Sequence, residues 1–362
     1  MSADRHVLLP RDAFRTRVLA RRDGRCCVPE CDRPAVDAHH ILERRLWPDH
    51  GYYEANGAQL CAEHHLKAET TEIPVESLRA WCGITDAPLP PHLDPEDRYD
   101  KWGNPVLPNG MRLRGELFFD EAVQKVLGQA GMLSLYTHWV KYSRTYHMPF
   151  SPGATADDKV HESLKAFTGK RVIGSVKMDG EGFTLYADHC HARSLDSKHH
   201  PSRDWIKAFW NAVRWDIPPE WRVCGEYMFA QHSIPYSALP SYFLGFSVWD
   251  ERNCALPWDE TLEWFDLIGS ATGQRIVPAP VVYDDVFDER RIRALCERLV
   301  SEGQEGLVIR LADGFPYRDF RTCTAKYVRK NHVQTDEHWM HGEIVRNGLA
   351  PDAQRLGGGG AP

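Results

Sequence analysis

The second half of the chain alternates short apolar runs with helix-period segments. Residues 171–176, 182–186, 221–224, 242–248 and 307–311 are runs of four to seven residues rich in β-branched and aromatic side chains. Runs of that length bounded by Gly, Pro, Asp and Asn predict strands. Between them, residues 202–213, 261–268 and 288–301 repeat apolar side chains at three- and four-residue intervals, which predicts helices. One more helix is expected over residues 120–131. The pattern is mixed, with helices and strands in one α+β domain whose strand ends can hold reactive side chains against a rigid sheet.

Composition shifts divide the chain further. Residues 1–88 hold a cluster of Cys and His and close on Ala87-Pro88-Leu89-Pro90-Pro91, a linker-like run. Residues 89–150 read as a connecting segment that contains Lys101-Trp102-Gly103-Asn104-Pro105. Residues 151–345 form the large domain, and residues 346–362, ending in a glycine run, read as a flexible tail. No internal repeat is found.

The chain has 362 residues, of which 42% are hydrophobic and 26% charged, as in globular proteins. No apolar run approaches the roughly 20 residues that span a bilayer, and residues 1–6 lack a signal-peptide core. A cytoplasmic location without a membrane partner is therefore expected. The net charge of -7 excludes a uniformly basic nucleic-acid binder but allows a local basic face. Arg11, Arg15 and Arg22 would share one face of a helix, either solvated or phosphate-binding.

Four of the ten cysteines, Cys26, Cys27, Cys31 and Cys61, lie within the first 65 residues beside several histidines. In a cytosolic protein that clustering favours a metal over disulfides. A cysteine group near one turn and Cys61-x-x-His64 near another have structural zinc spacing. Cys31, Cys61 and His64 are the clearest ligands, with Cys26 or Cys27 as the fourth. His39, His40, Asn56 and His65 are left over. Together these residues resemble the HNH endonuclease family, a ββα-metal fold, although the usual Cys-x-x-Cys is widened and one zinc ligand is a histidine. The resemblance implies that His40 is the general base, that Asn56 holds the geometry, and that His65 with His39 or Asp37 binds a catalytic divalent metal. A zinc module that binds nucleic acid without cutting it fits the same residues.

The large domain carries a second ordered series: Lys177-Met178-Asp179-Gly180, Gly225-Glu226-Tyr227, Phe243-Leu244-Gly245-Phe246, Glu305-Gly306-Leu307-Val308-Ile309-Arg310 and Ala325-Lys326-Tyr327. The series resembles the motifs of covalent nucleotidyltransferases, the superfamily of ATP-dependent ligases and capping enzymes. That resemblance implies an ATP-grasp-like ligase fold of antiparallel sheets with flanking helices. It makes Lys177 the nucleophile that takes AMP from ATP, in the motif that includes Asp179. It gives Glu226 the ribose, Phe246 the adenine face, Glu305 the divalent metal, and Lys326 the α-phosphate. Arg310 stands where some relatives carry lysine. Val328 stands at the place of a second motif V lysine, with Arg329 and Lys330 beside it, so Lys330 is the weaker assignment. Arg193, within His191-Ala192-Arg193-Ser194-Leu195-Asp196-Ser197, resembles an RNA ligase motif that contacts phosphates, as Arg144 does upstream.

DNA ligases and capping enzymes append an OB-fold after the last lysine motif, and the 32 residues after Lys330 are too few for one. Residues 140–345 thus resemble bacterial and phage RNA ligases, with residues 332–338 included, and the whole chain resembles HNH–RNA ligase fusions. The expected function is ATP-dependent sealing of RNA 5′-phosphate and 3′-OH ends through lysyl-AMP. Its expected cofactors are ATP, Mg²⁺ or Mn²⁺, and Zn²⁺. RNA ends, nicks and RNA-to-DNA junctions are the candidate partners. The alternatives are an HNH endonuclease whose second domain only binds nucleotide or nucleic acid, and a non-catalytic zinc-bearing RNA-binding protein.

Overall fold

The computed structural model describes residues 8–195, 200–330 and 344–353. Two compact units meet in sequence at Trp139 and Val140. In the first, helix α1 (Arg11–Leu19) turns Phe14 and Val18 inward. The chain then leaves helical geometry at Arg22 and Asp23, which take φ of 47° and 54°. Arg22 is therefore not on the helical face expected for it; its guanidinium donates to the carbonyls of Cys26 and Val28. Strands β1 (Asp37–His40) and β2 (Gly57–Leu60) pair antiparallel, with His40 opposite Gly57. Helices α2 (Ala62–Glu69) and α3 (Val75–Trp81) follow. Ile41, Leu42, Leu60 and Leu78 form their core.

The segment read as a connector folds as well. Strands β3 (Arg98–Tyr99), β4 (Pro105–Val106) and β5 (Arg112–Leu113) are followed by α4 (Glu121–Gln129) and β6 (Tyr136–Thr137). They form a four-stranded sheet in chain order, over a core of Trp102, Phe118, Val123, Leu127 and Tyr136. Asp120 starts α4 by accepting from the N–H groups of Ala122 and Val123. Strands of two residues leave no alternation to read, which is why the sheet was not expected. Residues 140–150 belong with the second unit.

Among its described residues, the second unit contains two sheets. Its elements are β7 (Arg171–Lys177), β8 (Glu181–Tyr186), β9 (Cys190–Ala192), α5 (Asp204–Val213), β10 (Arg222–Tyr227), β11 (Phe243–Trp249), β12 (Cys254–Ala255) and α6 (Trp258–Leu267). They continue with β13 (Val277–Pro278), β14 (Val281–Val286), α7 (Glu289–Ser301), β15 (Gly306–Leu311), β16 (Phe315–Pro316), α8 (Phe320–Cys323) and β17 (Thr324–Val328). One sheet runs β16-β12-β11-β10-β8-β9, with β13 parallel to β11; the other runs β14-β7-β15-β17. All other pairs in both sheets are antiparallel. A single apolar core draws on both, and amphipathic helices add to it: Ile206, Phe209 and Val213 from α5, and Ile292, Leu295, Cys296 and Leu299 from α7.

Residues 346–353 are not a loose tail. Leu349 bridges Leu239, Arg346 bridges Ala230, and Asn347 is 3% exposed. Asp196, Ser197, residues 332–338 and the glycine run fall outside the described residues. Among the described residues, no helix is long and apolar enough to cross a membrane.

Candidate active site

Lys177 ends β7, and the register places it opposite Gly306, the first residue of β15. Glu305 therefore enters the site directly beside it. Lys177 Nζ lies 2.6 Å from Glu305 Oε1; the lysine side chain is 23% exposed and the glutamate side chain is fully buried. Gly306 is required there. At φ 158° a Cβ would sit 1.9 Å from the Tyr327 carbonyl oxygen. Val308 lies opposite both Ser175 and Lys326, so Ser175, Lys177, Val308 and Lys326 share the less buried face of this sheet. Val176, Leu307, Ile309 and Ala325 fill the core face.

Glu226 comes from the other sheet, on β10, where its Oε1 accepts from the Gly180 N–H at 3.2 Å. A Cβ on Gly180 would lie 2.5 Å from the Tyr227 carbonyl oxygen, so glycine allows the loop after Lys177 to touch the end of β10. Asp179 builds that loop. Its Oδ2 accepts from the Ser233 N–H, the Ser233 hydroxyl and the Ile234 N–H, at 2.8, 2.6 and 2.8 Å. Its own N–H donates to the Tyr236 hydroxyl. Asp179 thus holds the backbone of the loop that follows Lys177.

The electrostatics follow from burial and from this clustering. Burial alone would lower the Lys177 pKa, but the charges of Glu305, Glu226 and Asp179 outweigh it and hold the amine above its usual value. Burial pushes Glu226 up to about 7 against the pull of Lys177. Burial, with the Lys177 charge second, lowers Lys326 to about 8. The unliganded lysine is therefore an ammonium, whereas nucleophilic attack needs the free amine.

Phe246 is half-buried, with its ring centroid 5.0 Å from that of Tyr142. Cys224 pairs with Ser247 and Gly225 with Gly245, so Phe246 is the extra residue of a β-bulge. Bulges re-aim a side chain in this way beside functional sites. Arg310 is buried, and its guanidinium donates to the carbonyls of Leu311, Phe246 and Leu256. Burial lowers it to about 10, which leaves it charged at neutral pH. These contacts tie it to the backbone, including that of the strand that carries Phe246. Arg193, Arg144 and Lys330 are exposed. Arg193 is close enough to contribute to the Lys326 shift, and Arg144 donates to the Asp157 carbonyl at 3.4 Å.

Sequence reasoning missed the support behind the site. Asn347 accepts from the Tyr236 N–H and donates to the carbonyls of Met228 and Ala230. Through Tyr236 it reaches Asp179. His147 and Ser151, 2.8 Å apart, lie under β17, where the Ser151 hydroxyl accepts from the Val328 N–H.

In the first unit, the ligand atoms of Cys26, Cys31, Cys61 and His64 lie within 4.8 Å of one another. Cys26 Sγ is 3.3 Å and Cys61 Sγ 3.5 Å from His64 Nδ1. Cys27 lies apart from this group, and its contact with Cys82, then burial, pushes its thiol pKa up. A second cluster joins His39, His65 and Glu69. Glu69 was missed, although its position four residues after His65 on α2 puts both on one helix face. Asp37 also approaches His65, at 3.5 Å. His40 stacks on Phe14 at 4.6 Å, and burial lowers it to about 4, a neutral imidazole at pH 7. Asn56 is buried; it accepts from the Leu42 N–H and donates to the Leu42 and Gly51 carbonyls.

None of the curated proteins matches the sequence. Among solved structures, a Naegleria gruberi RNA ligase with PPi is 17% identical, with a TM-score of 0.36 over 53% of this chain and 56% of that one. A variant of the same ligase with ATP and Mn is 15% identical, with a TM-score of 0.37 over 53% and 56%. An archaeal ATP-dependent RNA ligase is 15% identical, with a TM-score of 0.34 over 52% and 48%. The chain spans about half the length of these structures. Residues 170–328, which run from the start of β7 to the end of β17 and hold Lys177, Glu226, Glu305 and Lys326, match the family model described as RNA ligase.

Proposed function

We propose that this protein is an ATP-dependent RNA ligase. The observation that carries the reading is the contact of Lys177 with Glu305, inside the span that matches the RNA ligase family. The Lys177 amine loses its proton and attacks the α-phosphorus of ATP, forming an N–P bond as the bond to pyrophosphate breaks. The AMP then passes to a 5′-phosphate, and a 3′-OH displaces AMP to close the phosphodiester. Lys326 adds positive charge beside the α-phosphate, and Phe246 offers its ring face to the adenine. Glu305 and Glu226 are hard oxygen donors suited to Mg²⁺ or Mn²⁺, which would offset phosphate charge and ease deprotonation of Lys177. RNA ends and nicks are the proposed substrates.

The Cys26, Cys31, Cys61 and His64 set fits structural Zn²⁺, since three thiolates and one imidazole close a tetrahedral site. The strand–strand–helix order of β1, β2 and α2, with His39, His65 and Glu69 beside His40, favours a second reading of this unit as an HNH-type nuclease module. Loss of cutting in His40→Ala would support that reading, and metal-dependent cutting unchanged in this variant would contradict it.

The ligase reading is tested by sealing nicked duplexes with RNA or DNA on each side of the break, in ATP and Mg²⁺. Sealing at RNA ends is expected. Failure with every combination of ends, or sealing of all-DNA nicks alone, would contradict it.

A further inference from the structure

Lys101 lies in a built turn of the first unit. Asp100 Oδ1 accepts from the N–H groups of Trp102 and Asn104, and Gly103 takes φ 77°. The Lys101 carbonyl accepts from the Glu43 N–H at 2.7 Å, and Trp102 Nε1 donates to the Glu69 carbonyl at 3.1 Å. This turn delivers the Lys101 side chain, 4% exposed, into the cluster of His39, His65 and Glu69. Its Nζ lies 3.2 Å from Glu69 Oε1, 3.2 Å from Glu43 Oε2 and 3.4 Å from the His40 carbonyl oxygen. That same Glu69 Oε1 is 3.2 Å from His39 Nδ1 and 3.4 Å from His65 Nε2.

One carboxylate oxygen thus meets two imidazoles and an ammonium. A divalent cation shared by His39, His65 and Glu69 would use this oxygen and would be repelled by the ammonium beside it. The two carboxylates, largely withdrawn from water, meanwhile require a counter-charge, which Lys101 supplies from within the chain. We infer that the Lys101 ammonium acts as an internal counter-cation for the His39–His65–Glu69 cluster, so that a divalent cation binds there only when Lys101 is displaced. This rests on the reading of His39 and His65 as metal ligands. It makes the segment after the cysteine module a gate on that module's metal site.

The probe is Mn²⁺ alone, added to the full chain with its cysteine cluster zinc-loaded, because Mn²⁺ favours oxygen and imidazole over thiolate. Bound Mn²⁺ is counted by electron paramagnetic resonance in the wild type, Lys101→Met, His65→Ala and the double variant, and Mn²⁺-dependent Tm is recorded in parallel. Lys101→Met is expected to bind one more equivalent than the wild type, about tenfold or more tighter than any wild-type binding at that position. The extra equivalent and its Tm gain should vanish in the double variant, while His65→Ala alone changes neither. Lys101→Arg keeps the charge and should behave as the wild type. If the wild type loses an equivalent on His65→Ala and Lys101→Met binds no tighter, the inference fails and the metal-ligand reading stands. If neither background loses an equivalent on His65→Ala, both fail. Extra binding in Lys101→Arg equal to that in Lys101→Met also overturns the inference. Should Lys101→Met not fold, Lys101→Met with Glu43→Gln lowers the uncompensated charge and is read in the same way.

Discussion

Lys177 Nζ and Glu305 Oε1 are 2.6 Å apart, so in the unliganded protein the proposed nucleophile is paired with the carboxylate proposed to serve the metal. That carboxylate contributes to holding the Lys177 pKa above its ordinary value. The rate of self-adenylation should therefore rise with pH as the amine is freed. In Glu305→Gln the rising limb should move to lower pH, while the maximal rate falls by about 10²–10³ through loss of charge stabilisation. Single-turnover adenylation measured across pH checks both. An unmoved limb would separate the pair from the titration.

Glu226 predicts a conflict between stability and activity. Its folded pKa is raised by burial from 4.5 to about 7, so the folded state holds this proton more tightly than the unfolded one. Its contribution to stability is therefore lost as pH rises from 4.5 through 7, where an ionised carboxylate is left buried. Glu226→Gln removes that cost. At about pH 8 the variant should melt a few degrees, roughly 5 °C, above the wild type, with the difference closing toward acid pH, and it should lose adenylation. Thermal unfolding at several pH values is the measurement, and a lower Tm for the variant at alkaline pH would contradict the assignment.

Asn347 supports the loop after Lys177 from a distance, through Tyr236 and Asp179. Asn347→Ala removes a buried amide that makes three hydrogen bonds to the segment between β10 and β11. A loss of about 2–3 kcal/mol is expected. Because Tyr236 and Ser233 hold Asp179, adenylation should also slow under conditions in which the variant is still fully folded. Denaturant unfolding and adenylation rates on the same sample check this; full activity in a destabilised variant would show that the contact is structural alone.

The cysteine cluster predicts one zinc per chain. Cys26→Ser and Cys61→Ser should lose it, and Cys27→Ser should keep it, because Cys27 lies against Cys82 rather than against His64. Metal content after dialysis is the readout. Chelation should lower the unfolding temperature of the wild type. Zinc retained in Cys26→Ser but lost in Cys27→Ser would reverse the choice of ligand.

How far the sequence could be read depended on whether a feature was local. The runs at 171–176 and 307–311 announced β7 and β15 because β-branched residues bounded by turns have few other uses. The helix at 288–301 announced itself by its apolar period, and the structure adds that Asp288 caps it by accepting from the Arg291 N–H. Local pattern does not reveal where a charged side chain points. Arg310 sits in a ligase-like motif, yet its side chain is buried and meets three carbonyls. Asp179 follows Lys177 by two residues, but its partners lie more than fifty residues away. Asn347 stood in a segment that looked like a tail because a single buried amide leaves no periodic trace. The choice between Cys26 and Cys27 likewise required the fold, since adjacent residues differ only in direction.

The most direct measurement is incubation with α-labelled ATP and Mg²⁺ or Mn²⁺, followed by peptide mapping of any covalent adduct. The account predicts one adenylyl group per chain, on Lys177, and none in Lys177→Ala. Absence of an adduct from the wild type, or an adduct undiminished in Lys177→Ala, would contradict it.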